Sequence, residues 1–546
     1  MAGTDPNSTV SFSYDANFWL KQISGGGATV NYGYDNDGLL TSASLGSTTL
    51  SLSRNSQNGL LQGTSIGSLT DSWAFNGFAE PTGYSVRYGG TELLATSFGR
   101  DELGRITSLR ETRAGVALQA AYGYDAAGRL QTVTHDGAPV SRYGFDSNSN
   151  RTEHRIGAAS KLRGKAWPCL GDLSGSTEKV ISGQYDAQDR MTGYGSCTYE
   201  YTANGELTRR IDTATNTVTR YRYDVFGNLR EAWLPDGRQV TYTIDAQNRR
   251  IGKAIDGTRV QGFLYLNQLE PIAELDGNGN IVASFVYADR SNTPSLMLKG
   301  GKTYRIIADH LGSVRLVVDI ATGEVAQRMS YDEFGNVVED TNPGFQPFSY
   351  AGGIYDRDTG LVRFGARDYD PLTGRWTAKD LKGFTDGTNR YAYARLEPIN
   401  RYDLNGLESE IIFWSPLASP GSMFGHVSAN IDGENFSFGP NGWDQQRPQA
   451  SDYASRQEEL GRTGVGHKLD LTGDQESQFK KCMTSIKRRQ TSDDYNAILN
   501  NCTTGAQLCL LQAGVELPEM SIFPASFQQQ LGGSEVVGGI NWYSPR

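Results

Sequence analysis

The stretch NAILNNCTTGAQLCLLQAG (496–514) sets Cys502 at the head of an apolar run with helical spacing. In the first turn of a helix, unpaired backbone N–H groups and the positive end of the dipole favour a thiolate, which arms the sulfur as a nucleophile. A nucleophile of that kind needs a general base. His426, placed after Gly425 at the start of GHVSANIDGENFSFGP, is the candidate. Together they could carry acyl transfer at an amide or ester. The sulfur would attack the carbonyl, His426 would take and return the proton, and the Cys502 N–H would hold the oxyanion. Asn500 and Asn501 read as helix caps. The competing reading is an inert buried cysteine and an unrelated strand histidine.

The chain has five cysteines, at 169, 197, 482, 502 and 509. An odd, sparse set without zinc spacing points away from a disulfide framework and leaves at least one free thiol. Cys509, on the same helical face as Cys502, reads as core packing, and Cys482 carries no signal. His135 and His154 read as surface residues of hairpins, and His310 as structural. No metal or cofactor site is expected.

The elements that must position Cys502 and His426 are legible. EIIFWSP (410–416) is a predicted strand, GHVSANIDGENFSFGP (425–440) a hairpin about Asp432-Gly433, and VGHKLDLTG (465–473) a further strand. DQESQFKKCMTSIKRRQ (474–490) has helical periodicity, and the Cys502 helix closes at Gly514. Strands followed by helices predict an α+β domain over 408–546. That domain holds 10 Lys and Arg against 16 Asp and Glu, a net charge of -6. Such acidity, with no paired-carboxylate metal set, argues against a nuclease and against nucleic-acid binding.

The rest of the chain is different in kind. With 65 Gly, 28 Tyr and 21 Phe in 546 residues, it reads as many short strands and turns. A formal net charge of -10 disfavours a phosphate-binding surface. No apolar run reaches the length of a membrane span, and MAGTDPNSTV carries no leader pattern and reads as an arbitrary start. Self-similar units begin at Tyr34, Tyr124, Tyr185, Tyr223, Ile244 and Tyr331, with weaker copies at Tyr14, Asp101, Phe145 and Tyr201. Each is an aromatic residue, an Asp, a turn with Gly or Asn, then alternation: strand, turn, strand. One hairpin cannot bury its own face, so the copies must pair side by side into one continuous sheet.

These units resemble the YD repeats of the Rhs family, which is related to toxin-complex C proteins and teneurins. IADHLGSVRLVVD (307–319), GLVRFGARDYDPLTGRWTAKD (360–380) and NRYAYARLEPINRYDLNGL (389–407) strengthen the match, the last two resembling the Rhs-associated core. The resemblance implies a mainly β architecture: a YD-repeat shell over 1–355, a core with an autoproteolysis site over 356–407, and a C-terminal toxin domain over 408–546. It also implies that the shell encapsulates this domain and that the chain cuts itself between Leu407 and Glu408. The catalysts implied for the cut are Asp403 and Asp380, with Arg367 to hold a carboxylate or polarise the carbonyl. The family's proline before the cut is Leu404 here.

The order of His before Cys, with YNAILNNCTTGA, resembles the permuted NlpC/P60 papain-like thiol enzymes. For the third polar member that likeness leaves Ser437 and His467 open. The family resemblance further implies an antibacterial role in interbacterial competition. It brings a cognate immunity protein, delivery by a type VI or similar secretion apparatus, and synthesis in the cytoplasm followed by secretion into a target cell. The reading of another class is a non-catalytic surface or adhesion protein with an inert plug.

Overall fold

The structure is a computed structural model. It describes residues 9–380 apart from 18, 37, 79, 114, 164, 166, 176, 268 and 291, then 389–403. Beyond these it describes 409–414, 426–431, 434–439, 442–443, 464–469, 479, 482–483, 486, 502–512, 528 and 537–543. By contact the chain divides into one unit of 1–379 with 391–404 and a second of 380–390 with 405–546.

The first unit is built on a 30-stranded sheet running from Ser11–Tyr14 to Val337–Asp340. Each strand pairs antiparallel with the next in sequence, for example Ala28–Tyr34 with Leu40–Leu45 and Val116–Tyr124 with Leu130–His135. The repeat supplies both the turn and the tie between units. At Tyr124-Asp125, the Asp125 amide donates to the Arg129 carbonyl (3.0 Å). Its Oδ1 accepts from the amides of Ala127 (2.9 Å) and Arg129 (3.0 Å), and its Oδ2 accepts from Arg129 Nε (2.7 Å). Gly128 completes the turn at φ 83°, a region costly for a residue with a Cβ. The same Asp-to-Arg clasp recurs at Asp101–Arg105, Asp186–Arg190 and Asp245–Arg249. Asn replaces Arg at Asn150, Asn280 and Asn336. The tyrosine hydroxyl reaches back to the preceding hairpin: Tyr34 to Leu20 O, Tyr124 to Ile106 O, Tyr265 to Arg250 O and Tyr331 to Val314 O. The YD pair thus closes one turn and fixes its spacing to the last.

The long strip packs against itself. Val30, Leu50, Ile66 and Val86 share a buried cluster with Val286, Ile307 and Val318. Arg305 crosses this seam to Asp71 (3.1 Å) and also pairs with Asp289 (2.8 Å). Residues 354–376 form a four-stranded antiparallel sheet, Ile354–Asp356, Leu361–Phe364, Arg367–Asp370 and Arg375–Trp376. Tyr350, Phe364, Tyr369, Trp376 and Tyr393 fill one aromatic cluster there, with the Tyr369 and Tyr393 rings 4.3 Å apart.

In the second unit, the sheet order is Glu434–Phe436, His426–Ile431, Ser409–Trp414, Gly464–Leu469, Val537–Tyr543, with antiparallel pairings throughout. Helix α1 (Cys502–Gln512) packs against His426–Ile431. The last strand corrects the expected order of strands then helices, because the chain returns to the sheet edge after α1. Gly538 and Gly539 interrupt the alternation that would have announced it.

Two other expectations are overturned. Cys169 pairs with Cys197 and Cys482 with Cys509, so four of the five cysteines form disulfides. Partners 28 and 27 residues apart lie in different elements, so no short motif announces them. Cys509 is buried as core packing requires, but as half of a crosslink. His154 is not a surface residue: it is buried, stacks on Tyr143 at 4.6 Å and meets the Tyr194 hydroxyl at 3.1 Å. Burial and the Arg151 guanidinium hold it well below the ordinary imidazole range. His135 is half-buried, and burial with Lys161 pushes it down to about 4. A strip packed on itself covers one face of each hairpin, so polar alternation does not guarantee exposure. His310 is tied through Nε2 to the Ile399 carbonyl at 2.8 Å.

Candidate functional site

Arg367 opens its strand in the 354–376 sheet, beside Phe364 across a tight connection. Its guanidinium lies over the Trp376 ring, 4.1 Å from the centroid, and Nη2 donates to Asp403 Oδ2 at 2.9 Å. Both side chains are almost fully buried, 2 % and 4 % exposed. The structure therefore brings two of the three expected cleavage residues into one ion pair. Asp403 stands four positions before Leu407, and the Leu407-Glu408 bond lies outside the described residues. Asp380 belongs to the second unit. It is buried, its amide donates to the Arg390 carbonyl at 2.9 Å, and Arg390 Nη2 donates back to the Asp380 carbonyl.

For the thiol pair, backbone geometry sets the terms. Cys502 is the first residue of α1, with no basic or acidic side chain in the terminal turns. Disulfide pairing of the other four cysteines makes it the fifth. Val427, Ser428 and Ala429, which follow His426 on the strand against α1, are buried. In register, His426 pairs with Trp414 and His467 with Ile411 on the shared central strand. Those two positions are three apart, so His426 and His467 occupy pleat positions of opposite parity. Ala429 pairs with Phe436, the last residue of its strand, and Ser437 follows directly after it. Ser437 is itself buried.

Sequence reasoning passed over a third constellation. Arg250, Arg363 and Asp368 meet in the first unit, all nearly buried, with Asp368 accepting from Arg250 Nη2 (2.6 Å) and Arg363 Nη1 (2.8 Å). Arg363 lies in GLVRFGARDYD, but its partner Arg250 is 113 residues away, and only the fold joins them.

Comparison with known proteins bears on the first unit. Residues 4–407 match the family model described as Teneurin YD-shell. Teneurin-4 of Mus musculus is 30% identical over 289 residues, covering 51% of this chain and 10% of the relative. The tRNA nuclease WapA of Bacillus subtilis (strain 168) is 26% identical over 293 residues, 52% of this chain and 12% of the relative. Among solved structures, TcdB2-TccC3 aligns with TM-score 0.40 at 14% identity, over 73% of this chain and 26% of that one. The chain therefore spans about a tenth of the length of the curated relatives it matches.

Proposed function

We propose, from the premise that the chain belongs to the teneurin YD-shell family, that it is a toxin-like member whose shell carries a C-terminal thiol enzyme. The observation that carries the enzyme reading is backbone placement. The helix that opens on Cys502, the cysteine left over by two disulfides, packs against the strand that opens on His426. A helix-borne cysteine against a strand-borne histidine is the layout of papain-like enzymes, as expected of the NlpC/P60 type.

In that reading His426 accepts the Cys502 proton and the thiolate attacks an amide or ester carbonyl. The amine or alcohol leaves with the proton from His426, and water or another acceptor takes the acyl group. His467 stands at a pleat position of opposite parity to His426, so Ser437 is left as the candidate for the third position. WapA is by name a tRNA nuclease, which shows that a YD relative can carry an enzyme. The net charge of -6 over 408–546 disfavours that same chemistry here.

The Arg367–Asp403 pair supports the self-cutting step. A carboxylate fixed by a buried guanidinium has one orientation, and Asp380 would supply the second carboxyl. Cutting at Leu407-Glu408 would free residues 408–546. The proposal extends to a cognate immunity protein, a type VI or similar export route and delivery into a target cell. Intact-mass analysis of the purified full chain tests the cut. Wild type should give two pieces that meet at Leu407-Glu408, and Asp403→Asn and Arg367→Gln a single folded chain. An uncut wild type would remove the self-cutting step.

A further inference from the structure

We propose that residues 157–178 form a redox latch, which seats against the repeat strands only where the chain meets an oxidant for Cys169 and Cys197. The strands on either side, Arg151–Ile156 and Lys179–Tyr185, pair directly, with Ile156 opposite Lys179. A tight turn would join them, yet this connection is the longest in the sheet. A loop of such length within a compact unit carries a role beyond connection.

The latch fastens at one residue. Its neck is self-contained, because Arg163 donates to the carbonyls of Ile156 (3.1 Å), Gly157 (2.7 Å), Leu173 (3.2 Å) and Thr177 (2.6 Å). The ties from its apex to the neighbouring hairpin meet at Cys169. That sulfur is bonded to Cys197, the Cys169 amide donates to Asp212 Oδ2 (3.2 Å), and its carbonyl accepts from Ser196 N (2.9 Å). Cys169 holds φ 69°, a left-handed conformation costly for a residue with a Cβ, and a Cβ on Gly195 would collide with its carbonyl. Such a backbone persists only where its surroundings over-determine it, and the covalent link is the strongest of the three ties. With the latch fastened, Leu162, Leu170 and Leu173 share a buried cluster with Tyr199 and Val240 of the repeat strands and Leu361 of the 354–376 sheet.

Both cysteines are 1 % exposed, so an oxidant reaches them before the latch seats and not after. Closure is a thiol–disulfide exchange. One cysteine thiolate attacks a donor disulfide, the other displaces the donor sulfur, and the donor leaves as two thiols carrying the two electrons and two protons. Cytosolic thiols are held reduced, whereas disulfides form and persist in oxidising compartments. In a reducing cytosol the chain would carry an open latch, and this part of the shell would complete itself after export. The latch is independent of the Cys502 chemistry.

The test refolds the full wild-type chain from denaturant, either with reduced and oxidised glutathione or with dithiothreitol alone. Each product is digested with trypsin and its peptides are mapped by mass. The oxidised chain should show Cys169 linked to Cys197, with Lys161, Arg163 and Lys165 protected from cutting. In the reduced chain these sites should be cut on the order of a hundredfold faster, as expected when a crosslink no longer restricts the open state. Arg209 and Arg220, in neighbouring strands, should stay protected. Cys197→Ser refolded with glutathione should match the reduced chain. The proposal is overturned if the reduced chain or Cys197→Ser protects 161–165 as well as the oxidised wild type does, or if oxidative refolding leaves Cys169 and Cys197 as free thiols. Loss of protection throughout both the reduced chain and Cys197→Ser would equally overturn a latch confined to 157–178.

Discussion

Glu333 is an ionisable group placed against its own charge. It follows Tyr331-Asp332 in a repeat turn, is buried, and accepts a hydrogen bond from Tyr143 Oη at 3.1 Å. Burial pushes its carboxyl up to about 7, and neighbouring Asp332 adds to the rise. A carboxyl with a folded pKa above its unfolded value stabilises the fold fully below the unfolded pKa. That contribution is lost as pH climbs through the folded one. The window here runs from 4.5 to about 7. A rise of about 2.5 units corresponds to roughly 3 kcal/mol at pH 8. Glu333→Gln keeps the shape and the acceptor for Tyr143 and removes the charge. The variant should therefore exceed wild type by up to roughly 3 kcal/mol at pH 8, and the gap should close by about pH 4.5. Denaturant unfolding of both proteins across this range reads the difference, to which neighbouring Asp332, itself pushed up to about 6 by burial, contributes by losing the Glu333 charge in the variant. A gap independent of pH, or a wild type more stable than the variant at pH 8, would refute the reasoning.

Further outcomes follow from the same structure. Arg367→Met should cost about 3–5 kcal/mol, because it breaks a buried ion pair; urea unfolding measures it. Tyr124→Phe removes the hydroxyl tie to the Ile106 carbonyl and should cost about 1 kcal/mol, read by the same method. Thiol titration of the oxidised, denatured chain should find one reactive group, Cys502, and five after reduction. Replacing Cys482 and Cys509 by serine should cost about 3–4 kcal/mol, from the closed loop of 27 residues, in calorimetry of the full chain.

The repeat was legible because its signal is local. Tyr, Asp, turn glycine and the residue four after Asp lie within six positions, and the Asp side chain closes its own turn. What the sequence concealed is what the winding creates. His154 looks polar and peripheral along its strand, yet Tyr143 and Tyr194 enclose it. The Arg250–Asp368–Arg363 trio joins residues over a hundred positions apart, and the disulfides join separate elements. In the candidate sites, the motif around Arg367 and Asp403 pointed to a real ion pair, since both ends lie in one aromatic-rich core segment. The opposite parity of His426 and His467 depends on strand register, which alternation alone cannot fix.

The central claim is that Cys502 is a catalytic thiol. Growth of bacteria expressing the full chain, directed to the cytosol or to the periplasm, tests it most directly, with wild type against Cys502→Ala and folding of each checked by its melting curve. Wild type should arrest growth in at least one compartment, and Cys502→Ala, equally folded, should not. Equal toxicity of the two proteins, or no toxicity from a folded and cut wild type in either compartment, would contradict it.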